Sequence, residues 1–193
     1  MADYYIDSVN GDDAAAGTSR STAWRTFNNI PLTADTFVGG ENVYLARGSH
    51  WIIDGSTNLP LWIVGGNSGS LTNHVRITPY GSGARPIIDG NDNPDIYLVY
   101  CENVAFWCEG IDIRNVTAAG VLAPGILFAA TGANVGKEYS YVIRNNDIHD
   151  ITGDAVKVGV NCTATTNGNR REIAWNNVYR SEERRVGKEC LRL

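Results

Sequence analysis

From Val43 onward the chain alternates between short apolar runs and breaks at Gly, Asn, Asp or Pro. Val43-Tyr44-Leu45 comes first, followed by Trp51-Ile52-Ile53, Leu61-Trp62-Ile63-Val64, Val75-Arg76-Ile77, Ile87-Ile88 and Ile96 to Tyr100. The series continues with Val104 to Trp107, Ile111-Asp112-Ile113, Gly125 to Phe128, Tyr141-Val142-Ile143, Ala155 to Val158 and Ile173-Ala174-Trp175. Runs this short, rich in β-branched and aromatic residues and bounded by turn formers, predict strands. No long helical period interrupts them. Upstream, Tyr4-Tyr5-Ile6-Asp7 reads as a strand that ends in the turn-rich run Asn10-Gly11-Asp12-Asp13. Trp24, Phe27 and Ile30 then recur every three residues behind Ser21-Thr22, with Pro31 after them. A hydroxyl N-cap before that spacing predicts a short helix with one apolar face.

An internal repeat selects among β architectures. Ile143-Arg144-Asn145-Asn146-Asp147-Ile148 superposes on Ile173-Ala174-Trp175-Asn176-Asn177-Val178, thirty residues on. Phe106 to Ile111 fits the same shape with Ile111 opposite Ile148, and Ile77 lies 29 residues before Phe106. Unequal steps of about thirty residues fit a solenoid with fixed core positions and variable loops, not a sandwich. The expected fold is all-β: a right-handed parallel β-helix with a short N-terminal capping helix. Residues 1–38 would form the strand and cap, and residues 39–179 the coils. Equivalent side chains of successive coils would stack about 4.8 Å apart, apolar ones inward. Asn146 and Asn176 would stack at a bend, where an amide satisfies backbone groups.

Charge patterning sets the last residues apart. Arg180 to Cys190 is a dense charged block that resembles one reading frame of a widely used DNA sequencing adapter, so residues 180–193 read as a non-native tail. Without the tail's five Lys/Arg and three Glu, 11 basic face 18 acidic residues, a net charge of −7. Such an acidic body gives no support to nucleic-acid binding. The 21 glycines punctuate turns rather than form a linker. No run approaches the roughly 20 apolar residues of a membrane span. The start has neither the basic nor the apolar region of a signal peptide, so the chain either acts without export or begins after cleavage. Cys101, Cys108, Cys162 and Cys190 form neither a CxxC pair nor a disulfide framework, and read as buried small hydrophobes.

The opening is the most specific part of a wider resemblance. Tyr4-Tyr5-Ile6-Asp7, Gly11-Asp12-Asp13, Gly17-Thr18 and Ala23-Trp24-Arg25-Thr26-Phe27 resemble the opening motif of many pectate-lyase-like, right-handed parallel β-helix proteins. Gly40 to Leu45 with Gly48 is similar to their first-coil motif, with Asn42 where Asp is usual. Val75 to Gly81 and Pro86-Ile87-Ile88-Asp89-Gly90 resemble a second-coil signature. The resemblance spans residues 4–179. It implies polysaccharide as partner, an extracellular or cell-surface setting, and a uronate-directed lyase working by Ca²⁺-assisted β-elimination. The same superfamily includes hydrolases, epimerases and trimeric phage tailspikes. A virion protein or a non-catalytic adhesin is therefore the rival reading, and fold alone does not choose.

A lyase of that kind needs carboxylates clustered for a hard cation and a base for the proton α to the uronate carboxylate. Alternation with inward isoleucines places Asp112 and Arg114 on the solvent face, and likewise Asp147 and His149. Lys157 projects outward between Val156 and Val158, with Asp154 at the turn before it. Stacking of coils about thirty residues apart would set Asp112, Asp147 or Asp150 near Lys157 across one sheet. Asp112, Asp147, Asp150 and Asp154 are the expected Ca²⁺ ligands, and Lys157, Arg114 and His149 the expected catalytic groups. Outward Asp and Lys are also ordinary solvated surface on a solenoid, so spacing leaves both readings open. Trp51, Trp62, Tyr97, Tyr100, Trp107 and Trp175 would either fill coil corners or stack on sugar rings.

Overall fold

In the computed structural model the apolar runs become the strands of a parallel β-solenoid. It describes residues 2–30, 36–55, 58–94, 96–117, 124–135, 137, 139–159 and 170–179. After β1 (Asp3–Ile6), a first coil holds β2 (Asn42–Ala46), β3 (His50–Ile52) and β4 (Leu61–Val64). The second holds β5 (Val75–Tyr80), β6 (Ile87–Pro94) and β7 (Val99–Glu102); the third β8 (Phe106–Glu109), β9 (Asp112–Thr117) and β10 (Ile126–Ala129). The fourth holds β11 (Tyr141–Arg144), β12 (Asp147–Ile151) and β13 (Val156–Gly159), before β14 (Arg171–Ala174) and β15 (Asn177–Tyr179). Stacked coils make three parallel sheets: sheet A in the order β1-β2-β5-β8-β11-β14, sheet B β3-β6-β9-β12-β15 and sheet C β4-β7-β10-β13. No described helix is long and apolar enough to cross a membrane.

Register makes the core. Val43, Ile77, Cys108, Ile143 and Ile173 pair successively in sheet A. Trp51, Ile88, Ile113, Ile148 and Val178 do so in sheet B. Leu61, Val99, Ile126 and Val156 do so in sheet C. Each column runs inward and is buried over most of its length. Full burial of each such side chain is worth about 1.5–3 kcal/mol, and like on like removes packing mismatch between coils.

Ile143 pairs with Ile173 as the repeat requires. One alignment is corrected by two residues: Tyr141, not Ile143, pairs with Phe106, so Ile113 stands opposite Ile148 and Ile111 falls at the Asn146 position. The cause is hydrogen bonding. Asn146 Oδ1 accepts from the Ile111 amide (3.0 Å), and its Nδ2 donates to the Cys108 carbonyl (3.2 Å) and Asn176 Oδ1 (3.0 Å). Asn176 Nδ2 donates in turn to the Ile143 carbonyl (2.8 Å). The asparagine ladder begins at the fourth coil and borrows backbone groups from the third.

The cap differs from expectation in form. Trp24, Phe27 and Ile30 are all buried, but they lie around two 3-10 turns, Arg20–Thr22 and Phe27–Asn29, rather than on one helix. Backbone pairing prevents the helix. The Trp24 amide donates to the Tyr5 carbonyl (2.9 Å) and the Asp7 amide to the Trp24 carbonyl (2.8 Å), forming a bridge to Ile6. Pro31 lies outside the described residues. Gly11 and Gly17 show why the opening loop needs glycine. A Cβ at Gly11 would sit 2.3 Å from the Trp24 carbonyl oxygen; one at Gly17, at φ +71°, would sit 2.2 Å from the indole.

Cys101 and Cys108 are free and fully buried, and burial pushes both thiols up, that of Cys108 to about 12. They are the inert small hydrophobes expected. Cys162, Cys190 and the 180–193 tail lie outside the described residues.

Candidate functional site on sheet B

On the outer face of sheet B, polar side chains from successive coils fall into two columns. Ile52, Asp89, Arg114, His149 and Tyr179 are strand neighbours in one. His50, Ile87, Asp112, Asp147 and Asn177 are neighbours in the other. Alternation along β9 and β12 places them there, because the intervening Ile113 and Ile148 must point into the core.

Asp89 is the hub. Its carboxylate accepts from the Asn91 amide (2.9 Å), Asn115 Nδ2 (2.9 Å) and Arg114 Nε (3.0 Å), and lies 3.0 Å from His50 Nε2. Burial alone would raise its pKa; these hydrogen bonds outweigh burial and hold the carboxyl below its ordinary value. Asn115 reaches Asp89 because it adopts φ +58°, a left-handed bend in mid-strand. Asp150 occupies the equivalent bend at φ +53°, which folds its carboxylate back to 2.6 Å from His149 Nδ1. His149 Nε2 lies 3.2 Å from Asp112 Oδ1 without hydrogen-bond alignment. Tyr179 stacks on the imidazole at 4.5 Å and 9°. The ring is thus clamped between two carboxylates and a phenol, and only 8% exposed. Asp147 is 3.5 Å from Arg85 Nε, and Arg85 also donates to the Asn145 carbonyl (2.6 Å).

The structure therefore brings together Asp112, Arg114, Asp147, His149 and Asp150. It does not bring Lys157 to them. Lys157 lies on β13 in sheet C, in register with Leu127, so the expected pairing of Lys157 with the aspartates across one sheet is corrected. The cause is the bend after Ile151, which sends the chain into a different sheet before Lys157. Asp154 belongs to that bend, where its carbonyl accepts from the Gly125 amide (3.1 Å). The carboxylates expected to hold Ca²⁺ also face cations or imidazole of this chain: Asp112 meets His149 and Arg114, Asp147 meets Arg85, and Asp150 meets His149. A hard cation needs several uncommitted oxygens. Among the described residues, no three His, Cys, Asp or Glu side chains are arranged to hold a metal. Asp112, Asp147 and Asp150 thus spend carboxylate oxygens on groups of this chain, and Asp154 lies at the bend beyond them.

Sequence reasoning missed Asp89 as a site residue. The signal was present: Ile88-Asp89, Ile113-Arg114 and Ile148-His149 each place a polar residue directly after a core isoleucine. Of the aromatics, Trp51 and Trp107 are buried, whereas Trp62 and Trp175 are exposed. Trp62 and Tyr97 contact Tyr100 on sheet C.

What this arrangement can do follows from adjacency. Asp112 and Asp147 are register partners on neighbouring strands, about 4.8 Å apart in the backbone. Arg114, Asn115 and His50 add donors for hydroxyl or carboxylate oxygens.

No family model matches the chain, and no curated protein matches it. Among solved structures it is similar to a GH136 lacto-N-biosidase from Eubacterium ramulus, in its native form (21% identity, TM-score 0.51) and its selenomethionine derivative (22% identity, TM-score 0.50). In both, the match covers 79% of this chain and 28% of the other. The likeness establishes a shared β-helix fold. The chain spans just over a quarter of the length of the structures it matches.

Proposed function

We propose that the chain supplies coils of a carbohydrate-active β-helix protein whose saccharide-facing surface is the outer face of sheet B. One observation carries this reading: Asp89, Asp112, Arg114, His149 and Asp150, drawn from three successive coils, converge in one partly buried network of hydrogen bonds and charge contacts. A solvated surface has no need to clamp a histidine between two carboxylates and a stacked tyrosine. Fixed polar groups beside an aromatic suit a ligand with many hydroxyls and one weakly apolar face. The name of the structurally similar lacto-N-biosidase is consistent with a carbohydrate ligand.

The carboxylate pair favours glycosidic hydrolysis over calcium-assisted β-elimination. Asp112 and Asp147 sit on adjacent strands as acid and nucleophile or base would, whereas Lys157 lies on another sheet. Both chemistries are distinguishable in one experiment. The protein is incubated with neutral oligosaccharides bearing a lacto-N-biose end and with uronate polymers, with and without added calcium. Both reactions yield new reducing ends; elimination alone adds ultraviolet-absorbing unsaturated uronate, and hydrolysis leaves no unsaturation. Saccharide binding is followed in parallel by calorimetry. The expected result is binding that His149→Gln and Asp112→Asn weaken by about tenfold, the loss of one charge-assisted contact. Binding unchanged by both substitutions, or no binding of any saccharide, would remove sheet B as the saccharide face.

A further inference from the structure

The outer face of sheet A carries a second convergence of charge, and it has the opposite sign. Trp107 on β8 has three guanidinium groups against its indole: Arg76 at 4.7 Å, Arg144 at 4.5 Å and Arg170 at 5.1 Å from a ring centroid. They come from the coil before and the coils after, so stacking draws them together. Three like charges on one ring repel one another, and two carboxylates offset them. Glu109 accepts from Trp107 Nε1 (2.9 Å) and lies 3.2 Å from Arg144 Nε. Glu172 accepts from Arg170 Nε (2.9 Å) and lies 3.9 Å from Arg144 Nη1. Among the described residues, Arg76 has no carboxylate within ion-pair distance, and its side chain is exposed.

Neighbouring groups register the excess. His74 packs edge-on to the indole at 5.7 Å, with Nε2 2.9 Å from Ser140 Oγ. Burial first, and then Arg76 and Arg170, hold its pKa below the ordinary histidine value. In the next outward column of the same sheet, Tyr44 stacks on Tyr5 at 4.9 Å. A half-buried ring pair beside a guanidinium with no carboxylate in ion-pair reach offers a ring face and a bidentate anion donor together. An acidic protein that keeps such a spot positive retains it against the field of its own net charge.

From this we infer that the Arg76–Trp107 cluster is a binding site for an oxyanion-bearing sugar, one carrying a carboxylate or a sulfate ester. It is separate from the sheet B site. The sugar part of the inference rests on the carbohydrate reading above; the anion part stands on the arginines. Arg76 supplies the free fork, Arg144 and Arg170 the flanking charge, and Tyr44 the stacking surface.

Arg76→Gln is the decisive variant, because Arg76 is exposed and its guanidinium lies against the indole face. Binding of oligogalacturonate, a sulfated galactan oligosaccharide and an uncharged galactan oligosaccharide is measured by calorimetry at two salt concentrations. Wild type is expected to bind one or both charged oligosaccharides, with affinity falling as salt rises. Which of the two it binds identifies carboxylate or sulfate as the anion. Arg76→Gln is expected to cut that affinity about tenfold and leave the unfolding midpoint unchanged. Unaltered affinity in Arg76→Gln, absence of charged-sugar binding, or equal binding of duplex DNA would overturn the site. His149→Gln separates the two claims. Charged-sugar binding that survives His149→Gln but not Arg76→Gln supports sheet A whatever becomes of sheet B, and the reverse pattern removes sheet A alone.

Discussion

Asn146 is fully buried, yet its side chain satisfies the Ile111 amide, the Cys108 carbonyl and the Asn176 amide oxygen. Removing it strands these groups away from water, at about 1–3 kcal/mol for each unsatisfied group. Asn146→Ala is therefore expected to lose about 3 kcal/mol in urea denaturation; a loss no larger than that of an exposed Asn→Ala control would refute the ladder. Trp175 presents the opposite case. It takes φ +55° at the bend where the preceding coils place Asn145 and Gly110, and it is 77% exposed. A bulky residue in left-handed backbone costs about 1–2 kcal/mol, so Trp175→Asn is expected to raise the unfolding midpoint by thermal melt. Asp89 adds a pH dependence. Its folded pKa lies below the ordinary value of 3.8, so its contribution is complete above that value and lost as pH falls through the folded pKa. Asp89→Asn should flatten stability against pH in that acid window, seen by urea titration at stepped pH.

Elements were predictable where periodicity and chemistry agreed. The short apolar runs gave nearly every strand, because a solenoid strand is a few inward residues between turns. The N-terminal helix failed because a spacing of three fits both a helical face and a run of turns. What decided it was tertiary: Trp24 pairs its backbone with β1, and Asp13 holds the chain extended. Asp13 Oδ1 accepts from the amides of Arg25 (2.8 Å) and Thr26 (2.9 Å), and Oδ2 from Thr26 Oγ1 (2.9 Å). Asp13→Ala should cost about 2 kcal/mol and speed amide exchange in β1 and β2 while leaving β11 and β12 protected. Uniform exchange along the chain would show that the cap is not a local element. The misplaced Phe106 alignment has a similar origin. The Asn that marks the bend in later coils is replaced by Ile111, so the pattern lost its anchor there.

Across the molecule, stacking turns sequence distance into adjacency, and this decided which site residues could be found from sequence. Asp112 and Asp147 were predictable because the same alternation governs β9 and β12. Lys157 was misplaced because the bend after Ile151 changes sheet, and loop length does not encode sheet membership. Sheet A's arginine cluster was hidden for the same reason, its members being 76, 144 and 170 in sequence. The central claim is that coils stack in the register that sets Asp112 beside Asp147 and sends Lys157 to another sheet. Paired cysteines measure this directly, since strand neighbours about 4.8 Å apart fall within disulfide reach. Under mild oxidation, Asp112→Cys/Asp147→Cys is expected to form an intramolecular disulfide, and Asp112→Cys/Lys157→Cys to remain reduced. The opposite pattern, read by mass spectrometry of the digested protein, would contradict the register and the site built on it.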